Sequence, residues 1–106
     1  MSELAQLRQQ LGENPALLVY FGAPDCAVCQ ALRPKVETLI REEWPHFVYR
    51  YLDCRAMPEV AAQFGVFTVP TVIAFFEGRE GIRQARNFSL QELREGLNRP
   101  YNLLFG

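Results

Sequence analysis

Cysteine is scarce in this chain of 106 residues: there are three, too few for the disulfide framework of a small secreted fold. Histidine occurs once, at His46. A zinc site needs four ligands, or three and a water, and would have to draw on that lone imidazole and all the thiols. Neither charge sign is in excess, with 11 basic and 12 acidic residues and a net charge of −1. That balance argues against nucleic acid or a membrane surface as the main partner, since both favour a basic excess. No apolar run approaches the roughly 18 residues of a membrane-spanning helix. No Gly-x-Gly-x-x-Gly occurs, so no flavin or nicotinamide fingerprint is present. The opening MSELAQLRQQLG lacks a basic start followed by an apolar stretch. No secretory signal is therefore expected, and a cytoplasmic location is. Internal repeats, low-complexity tracts and long linkers are also missing.

What is present is a single domain of ordinary composition, residues 1–106, with 49% hydrophobic residues, enough to bury a core. Its organising stretch is LLVYFGAPDCAVC, residues 17–29. The apolar run 17–21 reads as a buried strand, broken by Gly22-Ala23-Pro24. Cys26 and Cys29 then fall where a helical pattern begins. Unpaired backbone N–H groups and the helix dipole at such a start favour a thiolate on the first cysteine. The second lies three residues on, on the same helix face, close enough to close a small disulfide. Attack by Cys26 and resolution by Cys29 is the reaction that this spacing permits.

Around that stretch the pattern predicts α-β-α-β-α-β-β-α. A first helix starts on a Ser2 cap, carries Leu4, Leu7 and Leu11, and closes at Gly12. The second runs over about 26–43 with Cys29, Leu32, Val36, Leu39 and Ile40 inward, Pro34 inside it and Trp44-Pro45 after it. A second strand covers 47–53. Pro58 opens a short third helix that ends at Gly65. A third strand follows Pro70. A turn through Gly78 and Gly81 leads to a shorter fourth strand at about 82–86. Ser89-Leu90-Gln91-Glu92 is a capping box for a last helix, with Leu90, Leu93 and Leu97 inward and Pro100 as its stop. The apolar tail 101–106 is expected to pack back on the domain. Strands one and two, joined by a helix, should be parallel with a right-handed crossover, and strands three and four should form a hairpin. The result is an α/β fold: a mixed sheet with helices on both faces.

The matches VYFGAPDCAVC, Pro34 five residues after Cys29, Asp53 ending the second strand, FGVFTVPT and Glu77-Gly78 occur together and in this order. The chain resembles the thioredoxin family along nearly its whole length, without the extra first strand that typical members carry. The resemblance implies a four-stranded sheet of order 2-1-3-4 and a cis Val69–Pro70 bond lying against the Cys pair. It implies thiol–disulfide exchange with protein substrates through a Cys26–Cys29 disulfide and no other cofactor. Electrons would come from a thioredoxin-reductase-like protein or a thiol pool. Substrate-binding positions would be Val69, Pro70, Thr68, Ala27 and Val28, within a mostly apolar groove that also takes in Ala23, Pro24 and Phe67.

Three positions depart from the family pattern. Tyr20 stands six residues before Cys26, where an acid is common, and Tyr49 replaces that acid's basic partner. A neutral phenol can hydrogen-bond, but it is a poor base near neutrality. Asp25-Cys26-Ala27-Val28-Cys29 replaces Trp-Cys-Gly-Pro-Cys. Asp25 puts a negative charge beside the nucleophile and is a candidate to cap the helix, and both effects should raise the Cys26 pKa. Arg86 replaces a groove glycine. Arg33 is expected to be a solvated helix charge, with offsetting Asp25 as the alternative reading. Cys54, at the active end of the sheet, reads as a small, partly buried thiol, with a regulatory cysteine as the sharper alternative. His46 reads as a solvated loop residue. Two rival functions remain at this level: an adaptor that holds a client in the same groove, and a carrier of metal or a cluster.

Overall fold

The computed structural model describes residues 2–106. Its elements run α1 (Glu3–Glu13), β1 (Ala16–Gly22), α2 (Ala27–Glu43), β2 (Val48–Asp53), α3 (Pro58–Gln63), β3 (Thr71–Phe76), β4 (Arg79–Ala85) and α4 (Leu90–Phe105). The sheet order is β2-β1-β3-β4. β1 pairs parallel with β2 and antiparallel with β3, and β3 pairs antiparallel with β4. This is the four-stranded mixed sheet of a thioredoxin-like fold, with an N-terminal helix.

β1, with β3 beside it, forms the wall between two cores. All seven of its residues are buried, as expected of a central strand whose sequence is an unbroken apolar run. Strand alternation divides them. Leu18 and Tyr20 join Val36, Ile40, Leu93 and Leu97 of α2 and α4. Leu17, Val19 and Phe21 join Leu7 of α1 and Val60 and Ala61 of α3 on the opposite face. Arg50 of β2 reaches over α1 to Gln10 and Glu3, fastening that helix to the sheet edge.

Several boundaries shift by a residue from the sequence reading, and three differences have a visible cause. α1 passes Gly12 and ends at Glu13, because Asn14 caps it, its backbone and side-chain N–H groups both donating to the Gln10 carbonyl. β4 begins at Arg79, three residues early. The turn is the two-residue Glu77-Gly78, both with positive φ (53° and 79°), the geometry that matches strand twist in a hairpin. Gly81 is absorbed as a bulge: the register steps from Ala74↔Ile82 to Phe75↔Glu80, and a Cβ at Gly81 would sit 2.5 Å from the Phe76 ring. Finally, α4 does not stop at Pro100 but continues to Phe105. Tertiary contacts outweigh the proline. Tyr101 is buried, its hydroxyl accepts from the His46 N–H at 3.0 Å, and Phe105 stacks on the His46 ring at 4.5 Å. His46 is thus exposed but not merely solvated.

Candidate active site

Register alone gathers the site at one end of the sheet. Phe21 of β1 pairs with Thr71 of β3, Gly22 with Asp53 of β2, and Thr71 with Ala85 of β4. The chain therefore leaves β1 toward Cys26, leaves β2 toward Cys54, enters β3 through Pro70 and leaves β4 at Arg86, all at neighbouring points. Backbone bonds fix these loops: Cys54 N–H donates to the Gly22 carbonyl at 2.9 Å, and Arg86 N–H to the Pro70 carbonyl at 2.8 Å. The Thr71 hydroxyl donates to the Thr68 carbonyl at 2.7 Å. The Val69–Pro70 bond is cis. Val69 packs with Cys26 against the apolar cluster that holds Cys29.

Cys26 and Cys29 are joined in a disulfide, with Cα atoms 5.2 Å apart. Cys26 is itself the N-cap of α2, and its Sγ accepts the Cys29 N–H at 3.2 Å. A sulfur at an N-cap lies where backbone donors and the helix dipole favour negative charge. The two thiols are unequally placed: Cys26 is partly exposed, whereas Cys29 has no exposed surface.

Asp25 does not cap the helix. Its carboxylate turns outward and accepts from Arg55 Nε at 3.1 Å. That hydrogen bond lowers the Asp25 pKa from its ordinary range. Arg55 was not singled out by sequence reasoning, since 30 positions separate it from its partner. The available signal was Asp53: its carboxylate accepts the Arg55 and Ala56 N–H groups at 2.9 and 3.2 Å, a tight turn that presents Arg55 to Asp25. Arg33 does not offset Asp25 either. It pairs with Glu37 at 3.0 Å and lies 3.6 Å over the Tyr51 ring.

Tyr20 lies fully buried beneath the pair, and its hydroxyl donates to the Cys29 carbonyl at 2.7 Å. Burial, then the neighbouring Tyr51, push its phenol up to about 12. The Tyr49 hydroxyl is buried and makes no hydrogen bond of good geometry, with Glu37 and Arg33 beside it, and burial, then Glu37, raise its pKa. Arg86, exposed, holds φ 64°, the left-handed region that suits the glycine it replaces.

Apolar side chains stand in the open around the disulfide: Val28 is 62% exposed and Phe67 82%. Pro24 and Ala27 are also exposed, Thr68 and Val69 are half-buried, and Ala23 is buried. Ala23, Cys54, Pro58, Phe67, Thr68 and Val69 line one depression beside the pair. Cys54 is free and half-buried there, and burial, reinforced by Asp53, raises its pKa. Among the described residues no three His, Cys, Asp or Glu side chains gather as a metal site, and no helix is long and apolar enough to cross a membrane.

Comparison with known proteins agrees with this geometry. The thioredoxin family model matches residues 3–99. The thioredoxin-like protein YdfQ of Bacillus subtilis is 28% identical over 106 residues, covering all of this chain and 94% of that one. The thioredoxin of Chlamydia muridarum is 42% identical over 64 residues, covering 60% of this chain and 62% of that one. Among solved structures, thioredoxin 1 from Thermosipho africanus superposes with a TM-score of 0.77 at 33% identity, over 85% of this chain and 99% of that one. With its redox pair at a strand–helix junction and its sheet in this order, the chain belongs to the thioredoxin family of thiol–disulfide oxidoreductases.

Proposed function

We propose that Cys26 is the attacking thiol and Cys29 the resolving one in the reduction of protein disulfides. The observation that carries this assignment is the unequal exposure of two sulfurs already in covalent reach. In the reduced protein the Cys26 thiolate attacks a substrate disulfide, forming a mixed disulfide and expelling one substrate thiolate. Cys29 then attacks Cys26 Sγ, which re-forms the Cys26–Cys29 bond and releases the second substrate thiol. Two electrons pass to the substrate, and a reductase or a thiol pool must return them. A cis Pro70 with Val69 aligns an extended substrate segment, and Val28, Ala27, Thr68 and Phe67 give it an apolar bed. A reducing cytoplasm suits a chain whose cysteines are one reactive pair and one free thiol.

Two measurements test this reading. The reduced protein should reduce insulin with dithiothreitol as donor, and Cys26→Ser should abolish the activity. Cys29→Ser, built with Cys54→Ala and quenched with acid in the source cell, should accumulate reductant-sensitive mixed disulfides on Cys26. Accumulation in Cys26→Ser instead would reverse the roles. Equal capture of the same partners by the Cys26→Ser/Cys29→Ser protein would favour an adaptor.

A further inference from the structure

Two side chains tie the Cys29 end of α2 to β1 and the loop after it: Gln30 Nε2 donates to the Ala23 carbonyl at 2.9 Å, and the Tyr20 hydroxyl to the Cys29 carbonyl at 2.7 Å. Pro34 has no N–H to give the Gln30 carbonyl, so the helix ladder is interrupted in the turn that follows Cys29. One residue before that gap, the Cys29 carbonyl accepts from the Tyr20 hydroxyl of β1. Gly22 makes room for the arrangement: a Cβ there would sit 3.1 Å from the Tyr51 ring and 3.2 Å from that of Tyr20. Tyr51, stacked on Tyr20 with centroids 6.0 Å apart, keeps the phenol in place.

Among the described residues no carboxylate is hydrogen-bonded to Cys29. Titratable groups on this face of the elements near Cys29 are Tyr20 on β1, Tyr49, Tyr51 and Asp53 on β2, Arg33, Lys35 and Glu37 on α2, Asp25, Cys54 and Arg55 in the loops by the helix tip, and Arg86 after β4. All three carboxylates are engaged elsewhere: Glu37 by Arg33, Asp25 by Arg55, and Asp53 by the Arg55 and Ala56 N–H groups. The one hydroxyl bonded to the Cys29 turn is a phenol that keeps its proton throughout the neutral range.

We infer that Tyr20 is a positioning residue for Cys29 that holds its turn in place without taking its proton, so that resolution draws on hydroxide or buffer base. The inference rests on the exchange roles proposed above. In the step concerned, the Cys29 proton goes to solvent base, the Cys29 sulfur bonds to Cys26 Sγ, and the bond from Cys26 to the substrate sulfur breaks. The resolving rate then follows the thiolate fraction of Cys29. It climbs about tenfold per pH unit below the thiol pKa, where an internal carboxylate would have levelled it.

An aromatic disulfide that releases a coloured thiolate reads both steps in a Cys54→Ala background. Attack by Cys26 releases the first thiolate in proportion to reagent, and resolution by Cys29 releases the second at a rate independent of reagent. The second phase should rise about tenfold per unit between roughly pH 5.5 and 7.5. Tyr20→Phe should keep that slope but lower the ratio of second-phase to first-phase rate by about two- to tenfold, the worth of one hydrogen bond. Tyr20→Asp puts a carboxylate at the same place, and its second phase should level off toward neutrality. If that variant does not fold, Tyr20→Phe decides alone. The inference is overturned by a second phase in the parent that is already level at neutral pH, by an unchanged rate ratio in Tyr20→Phe, or by a Tyr20→Asp profile like the parent's. A first release with no second one would strike down the resolving role of Cys29 itself.

Discussion

Asp25 is one residue from the attacking sulfur, yet its charge reaches that sulfur already answered by Arg55. An exposed carboxylate near a thiol raises the thiol pKa, and an exposed guanidinium lowers it, both screened by salt. Asp25→Asn alone leaves Arg55 uncompensated and should lower the Cys26 pKa by a few tenths to about one unit. Arg55→Ala should raise it by a similar amount, and the double variant should lie near the parent. Thiolate absorbance against pH measures all three. Two single shifts of the same sign would show that helix capping, and not charge, governs the thiol. The sequence made Asp25 conspicuous because it adjoins the Cys pair. It could not show the partner, because the Asp53 turn that delivers Arg55 is tertiary geometry written in a residue far along the chain. The same holds for Tyr20: its place beneath the pair follows from strand alternation, but its bond to the Cys29 carbonyl depends on how α2 lies on the sheet.

The elements were legible wherever one local signal dominated. The unbroken apolar run became β1, the Ser89–Glu92 capping box opened α4, and Pro58 opened α3. They were misjudged where distant contacts overrule a local breaker, as when Tyr101 and Phe105 dock α4 beyond Pro100, or where a bulge absorbs a residue, as at Gly81. These elements make predictions at their own scale. Ser89→Ala removes the side chain that accepts the Glu92 N–H at 3.0 Å and should cost about 1 kcal/mol in urea denaturation. Arg86→Gly should do the opposite. A side chain in the left-handed region is disfavoured by about 1–2 kcal/mol, and glycine's greater freedom when unfolded gives part of that back. The expected net gain is on the order of 0.5–1 kcal/mol, and a loss would mean that the Arg86 side chain holds the end of β4 in place.

The whole molecule is two cores on either side of the central strands β1 and β3, and its response to alkali should reflect what that packing encloses. Phenols in the unfolded chain ionise near pH 10. Tyr20 and Tyr49 hold their protons to higher pH when folded, Tyr20 to about 12, because burial disfavours the phenolate. Their contribution is complete below pH ~10 and is lost as pH rises from there through the folded value, since the unfolded state releases its protons first. The urea midpoint of the oxidised protein should therefore fall above pH ~10, and less steeply in Tyr20→Phe. A midpoint unchanged to pH ~11 would contradict the burial of these rings. The unequal exposure of the two active thiols carries a last consequence for the reduced chain. Three residues apart, they sit on opposite sides of the boundary between surface and core. An alkylating reagent meets Cys26 at the outer surface, whereas it reaches Cys29 only when α2 lifts from β1. The labelling rate of Cys29, followed by mass spectrometry after Cys26 is blocked, thus clocks the opening of the fold from within the site.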